Sequence, residues 1–114
     1  MTHPELVAAL CKPGEDILAT LTPDNAHLIH MLLGLQGEVG ELVDAFKKGI
    51  IYGQPFDFEN IYEELGDIEF FLEGIRQTYT MSREYAIVCN IKKLQKRYGD
   101  KYSNSAAKER KDKQ

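Results

Sequence analysis

The chain has no tryptophan and only two cysteines, Cys11 and Cys89, among its 114 residues. Thiols this sparse, without metal-like spacing, argue against a disulfide-stapled scaffold and against a cysteine-built zinc site; they fit a reducing cytoplasm. No apolar run approaches the ~20 residues a membrane span requires. The start, Met1-Thr2-His3-Pro4-Glu5, lacks the basic opening and apolar stretch of a signal peptide, so a cytoplasmic protein is expected. Period-two alternation and internal repeats are both missing, which disfavours a sheet or a solenoid. Basic residues are scarce over the first two thirds: three against fourteen acidic residues through Ile75. From Arg76 onward the balance reverses, with eleven basic against four acidic residues, so the net charge of −4 hides a segregated chain.

What is present is an ordinary globular composition, 43% hydrophobic and 28% charged, which at this length implies one domain. Helical signals dominate. A short helix is expected from about Pro4 to Lys12, ended by Pro13-Gly14, with a further turn over Glu15 to Leu21. Thr22-Pro23-Asp24 opens the clearest helix, which should run to about Lys48, where two lysines suit the negative helix end. At about 100° per residue, Leu28, Leu32, Leu35, Val39, Leu42 and Phe46 form one apolar stripe. Ile29, Leu33 and Val43 widen it enough to call for cover on more than one side. A connector through Gly53 and Pro55 leads to a helix from about Asp57 to Thr78, and Ser82 opens another to about Tyr98. The expected fold is all-α, a four- to five-helix bundle over residues 1–103, followed by a charged, disordered tail over 104–114.

Two helices carry paired acids. Glu38 and Glu41 are three residues apart on the first long helix, and Glu64 and Asp67 repeat that spacing on the next. Antiparallel packing would gather four carboxylates, which repel unless a cation lies between them. Hard divalent cations take oxygen ligands and keep waters for substrate phosphates, so a phosphate-processing metal site is one reading. Two solvated helix faces are the other. Both pairs border the apolar stripes rather than oppose them, where unpaired acids are costly.

His27 and His30 share this face, but neither Glu-x-x-His nor His-Glu-x-x-His occurs, so packing or substrate contact is expected of them rather than metal binding. Gly34, Gly37 and Gly40 each forgo up to ~1 kcal/mol of helix propensity, which implies close approach by a helix or a ligand. Asn90, Lys93 and Arg97 form a polar stripe, either a phosphate, sugar or base contact or a plain wet face.

Three blocks occur in order: Gly34-Leu35-Gln36-Gly37-Glu38-Val39-Gly40-Glu41-Leu42-Val43-Asp44-Ala45-Phe46-Lys47-Lys48, then Glu63-Glu64-Leu65-Gly66-Asp67-Ile68, then Asn90 to Tyr98. In this the chain resembles the MazG-like all-α nucleoside triphosphate pyrophosphohydrolases. Dimeric dUTPases, dCTP pyrophosphatases and phosphoribosyl-ATP pyrophosphohydrolases are among that family's members. Their hallmark is E-x-x-E, a variable loop, then E-x-x-D.

The resemblance implies hydrolysis of a (deoxy)nucleoside triphosphate to the monophosphate and pyrophosphate. It makes Glu38, Glu41, Glu64 and Asp67 the catalytic and metal-holding set, with Mg²⁺ as cofactor and Mn²⁺ as a substitute. Glu41 or Glu64 could instead orient the attacking water. Asn90, Lys93 and Arg97 become substrate contacts, with Lys47, Lys48 and His30 as further candidates. The implied assembly is a homodimer or homotetramer, with neither nucleic acid nor membrane as partner. The flanks of Glu38 depart from the family pattern, with Gly37 and Val39 beside it, and the base-reading region finds no counterpart. A non-catalytic dimerising or nucleotide-sensing module, and a hydrolase of another nucleotide such as phosphoribosyl-ATP, are the alternatives. A nucleic-acid binder fits poorly, since the basic segment has few interleaved aromatics beyond Tyr98 and Tyr102.

Overall fold

The computed structural model describes residues 1–99 and 101–113. Asp100 and Gln114, the latter the final residue of the expected tail, lie outside the described residues. The order is α1 (His3–Leu10), α2 (Gly14–Leu18), α3 (Pro23–Ile50), α4 (Phe58–Thr78), α5 (Arg83–Tyr98) and α6 (Asn104–Glu109), then a 3₁₀ turn over Lys111–Lys113. Among the described residues there is no strand, and no helix is long and apolar enough to cross a membrane. The expected all-α architecture is present.

Each long helix begins where side-chain chemistry starts it. Thr22 Oγ1 accepts from the Asn25 amide at 3.1 Å, Asp57 Oδ1 from Asn60 at 3.1 Å, and Ser82 Oγ from Tyr85 at 3.1 Å. Such caps satisfy amides that the first helical turn leaves without partners. Lys47 and Lys48 occupy the last turn of α3. Gly53, at φ +68°, makes the turn between α3 and α4 in a conformation that favours glycine.

α3 and α4 pack antiparallel. Gly34 meets Phe71, Gly74 meets Met31, and Gly49 meets Phe56, so the partner number falls as the α3 number rises. A Cβ at Gly34 would lie 2.7 Å from Phe71 Cδ1, with two other ring carbons nearer still. Gly34 is therefore needed for helix approach, whereas Gly37 and Gly40 face open space and close helix contact does not account for them. Met31, Ala45 and Ile61 are the buried apolar residues among those described, exposed by only 7%, 8% and 5%.

Two compact units divide between Thr78 and Tyr79. The first contains the α3–α4 pair. In the second, the tail expected to lack structure carries α6 and the 3₁₀ turn. Ser103 Oγ caps α6 by accepting from Ala106 N at 3.1 Å. Asp112 reaches back to Arg97: Arg97 Nε donates to Oδ1 at 2.8 Å and Nη2 to Oδ2 at 3.2 Å. A serine cap, two alanines and this fork-like ion pair supply order that charge content alone does not reveal.

Candidate metal and substrate site

Because α3 and α4 run antiparallel, their acidic pairs meet across the interface. One carboxylate oxygen each from Glu38, Glu64 and Asp67 lies within 4.8 Å of the others. Glu38 and Glu64 are half-buried and Asp67 is exposed. Glu41, the fourth acid expected here, stands outside this triplet, yet its negative charge still acts on Glu64.

Glu64 is the most constrained of the set. Its Oε2 is sealed from solvent and has no hydrogen-bond partner. Its carboxyl is pushed up to about 7 from an ordinary value of 4.5. A proton shared with Glu38 is the first cause, followed by desolvation and then by the charges of Glu38, Asp67 and Glu41. Three acids that can ionise together only at a cost, one with an orphaned oxygen, have the donor chemistry a hard divalent cation satisfies.

On the α3 side toward the turn, a polar cavity of about 410 Å³ is lined by Ala45, Lys48, Gln54, Pro55, Asp57 and Asn60. Lys48 is seven residues beyond Glu41, roughly 20° away around the helix, so it stands on the acidic edge. Lys47 points elsewhere. Its Nζ lies 5.7 Å from the Tyr52 ring centroid, and it lines an apolar cavity with Leu42, Val43, Phe46, Ile50 and Ile51. The adjacent lysines are thus parted by helical geometry, a distinction that composition could not make.

His30 is exposed on α3, whereas His27 lines a cavity with Phe70 and Gln77. Neither Phe70 nor Gln77 stood out in the sequence, since each sits outside the acidic motifs. Asn90, Lys93 and Arg97 lie on α5, in the second unit. Arg97 is held by Asp112, with side-chain exposures of 16% and 4%. That hydrogen bond is the main reason the guanidinium is raised and the Asp112 carboxyl lowered from their ordinary values.

An all-α protein with carboxylates gathered between two antiparallel helices, and a polar cavity lined by both Lys48 and Asp57 farther along them, belongs to a class equipped to hold a cation. More specifically, this chain belongs to the MazG nucleotide pyrophosphohydrolase domain family, whose family model matches residues 27–101, well over half its length. No curated protein and no solved structure gives a match.

Proposed function

We propose that the protein is a Mg²⁺-dependent nucleoside triphosphate pyrophosphohydrolase that clears unwanted (deoxy)nucleoside triphosphates in the cytoplasm. The observation that carries this reading is Glu64 Oε2, sealed and without a partner inside the Glu38–Glu64–Asp67 triplet. Family membership supplies the reaction class.

In the proposed reaction, water adds to phosphorus, the anhydride P–O bond breaks, and a nucleoside monophosphate and pyrophosphate leave. Glu38, Glu64 and Asp67 would hold the metal. When bound, Mg²⁺ or Mn²⁺ offsets negative charge on the phosphate chain as it develops in the transition state. Glu41, outside the triplet, is the carboxylate left to orient the attacking water and take its proton. Lys48 faces the polar cavity and serves the departing phosphates. The family resemblance makes Asn90, Lys93 and Arg97 of α5 candidates for substrate contact, and Arg97 is engaged by Asp112.

A homodimer or homotetramer belongs to the same proposal. Val43, Ile50 and Ile51 are 58%, 68% and 66% exposed along the apolar edge of α3, beside a cavity of about 450 Å³. A second copy of the chain is the natural cover for such an edge.

The test is pyrophosphate release from a panel of deoxynucleoside and nucleoside triphosphates with Mg²⁺, for the wild type and for Glu38→Ala and Glu64→Ala. Release abolished by both substitutions is expected. Activity indifferent to both, or none on any nucleotide, would favour a non-catalytic nucleotide-sensing module. Turnover of phosphoribosyl-ATP alone would retain the site and change its substrate.

A further inference from the structure

A second cavity, of about 390 Å³, opens between α3 and α4 on the far side of the carboxylates from Lys48. His27, Met31, Phe70, Glu73, Gly74 and Gln77 line it. Its volume falls at the lower end of the ~300–1,000 Å³ typical of small-molecule sites. Its floor is built by omission. Gly74 has no side chain, and a Cβ there would run into Met31, with Cγ at 3.1 Å and Sδ nearer. Met31 and Gly74 each lie seven residues from a carboxylate of the triplet, Glu38 and Asp67 respectively, or roughly 10 Å along either helix. That separation suits a sugar and a phosphate between two ends of one ligand.

The walls combine a flat apolar face with a fixed polar edge. Phe70 is 66% exposed. Its ring stands edge-on to Phe71, at 5.2 Å between centroids and 89° between planes, while Phe71 itself rests on Gly34. Gln77 Nε2 donates to Glu73 Oε2 at 2.8 Å, and Arg76 Nε donates to Glu73 Oε1 at 3.0 Å. An ionised carboxylate can only accept, so Glu73 fixes which end of the Gln77 amide faces it. The amide keeps its carbonyl oxygen and one N–H for a ligand. Glu73 is therefore a positioning residue.

We infer that this cavity is the nucleobase subsite: Phe70 offers the stacking face, and Gln77 reads a hydrogen-bonding edge of the base from the side opposite His27. The substrate would lie lengthwise along the α3–α4 groove, with its base here and its phosphates at the carboxylates. The inference rests on the phosphate assignment made under Proposed function. A carboxamide with one acceptor and one donor matches the paired donor and acceptor that every nucleobase presents, so the substrate class is a base-bearing nucleotide rather than a bare polyphosphate.

The test is equilibrium binding to the full chain in Mg²⁺ of three probes: the four α,β-methylene deoxynucleoside triphosphates, inorganic tripolyphosphate, and the four nucleosides. Phe70→Leu, which keeps apolar bulk, accompanies Phe70→Ala so that a folding defect in one does not remove the comparison. Both should weaken every nucleotide by roughly 5- to 100-fold and leave tripolyphosphate unchanged. Gln77→Ala should likewise weaken all four nucleotides and leave tripolyphosphate unchanged. Equal loss for nucleotides and tripolyphosphate, or no loss for either, overturns the inference. Nucleosides that bind and lose affinity in the Phe70 variants, while tripolyphosphate fails to bind, would uphold the base subsite and sink the phosphate assignment. A wild type that binds none of the three probes overturns both.

Discussion

The α3–α4 pair and the segment from Tyr79 onward are held together by different physics. In the first, ring and thioether carbons rest on bare glycine backbone at Gly34 and Gly74, and Met31, Ala45 and Ile61 are buried nearby. In the second, no residue of α5 or α6 is buried, and the Arg97–Asp112 ion pair joins α5 to the C-terminal 3₁₀ turn. Dispersion packing brings charges together and keeps them there despite their repulsion. An ion pair holds only while both partners stay charged and no better anion arrives. The clustered acids are therefore carried by the kind of contact that does not depend on charge.

The largest effect that sharpens this contrast is expected from Glu64→Ala or Glu38→Ala. Pyrophosphate release should fall by more than about 100-fold, since even the outer partners of metal ligands cost 10- to 100-fold. Without metal, the melting midpoint of either variant should be no lower than that of the wild type, because a repulsive neighbour has been removed. A collapse of the metal-free fold would show instead that the carboxylates hold the helices together.

Next come two glycines three residues apart. Gly34→Leu forces bulk into Phe71 and should cost about 1–3 kcal/mol, or several degrees in Tm for a chain of this size. Gly37→Ala, into open space, should gain up to about 1 kcal/mol. Thermal melts of the two variants give the comparison, and equal losses would refute the assigned packing.

A smaller effect concerns pH. Between about 4.5 and about 7, folded Glu64 retains a proton that the unfolded chain has lost. The stability this contributes is complete below about 4.5 and is lost as pH rises through that window. Melting in EDTA should therefore decline from pH 4.5 to 7, and Mg²⁺ should offset the decline by binding the deprotonated form. A metal-free midpoint that rises over this window would contradict the clustered geometry.

The smallest effect is expected from Asp112→Ala. Hydrogen exchange of the α6 amides should quicken, and the α3–α4 melting midpoint should stay where it was. A shift in that midpoint would mean that the ion pair acts beyond its own unit.

Much of this was legible in the chain itself. Thr22, Asp57 and Ser82 announced three helix starts, and the i, i+3 acids announced the charge that gathers between α3 and α4. What stayed hidden depended on pairing. That Glu41 stands apart from Glu38, Glu64 and Asp67 follows from the register of two helices, which single-helix arithmetic cannot give. Lys47 and Lys48 are parted by helical geometry alone, but that one meets Tyr52 and the other the cavity with Asn60 shows only in the folded turn. Gln77 carried no motif, because its orientation comes from Glu73 one turn earlier. The contact of Asp112 with Arg97 was also hidden, because a high density of charge does not say which aspartate meets which arginine.

Phe71 lying on Gly34 has a consequence for how such a chain can change over generations. Since the gap between the helices is set there by carbon against bare backbone, the acids next door can be exchanged without the scaffold coming apart. A descendant with those acids replaced would keep the same groove and forfeit only what their charge supplies.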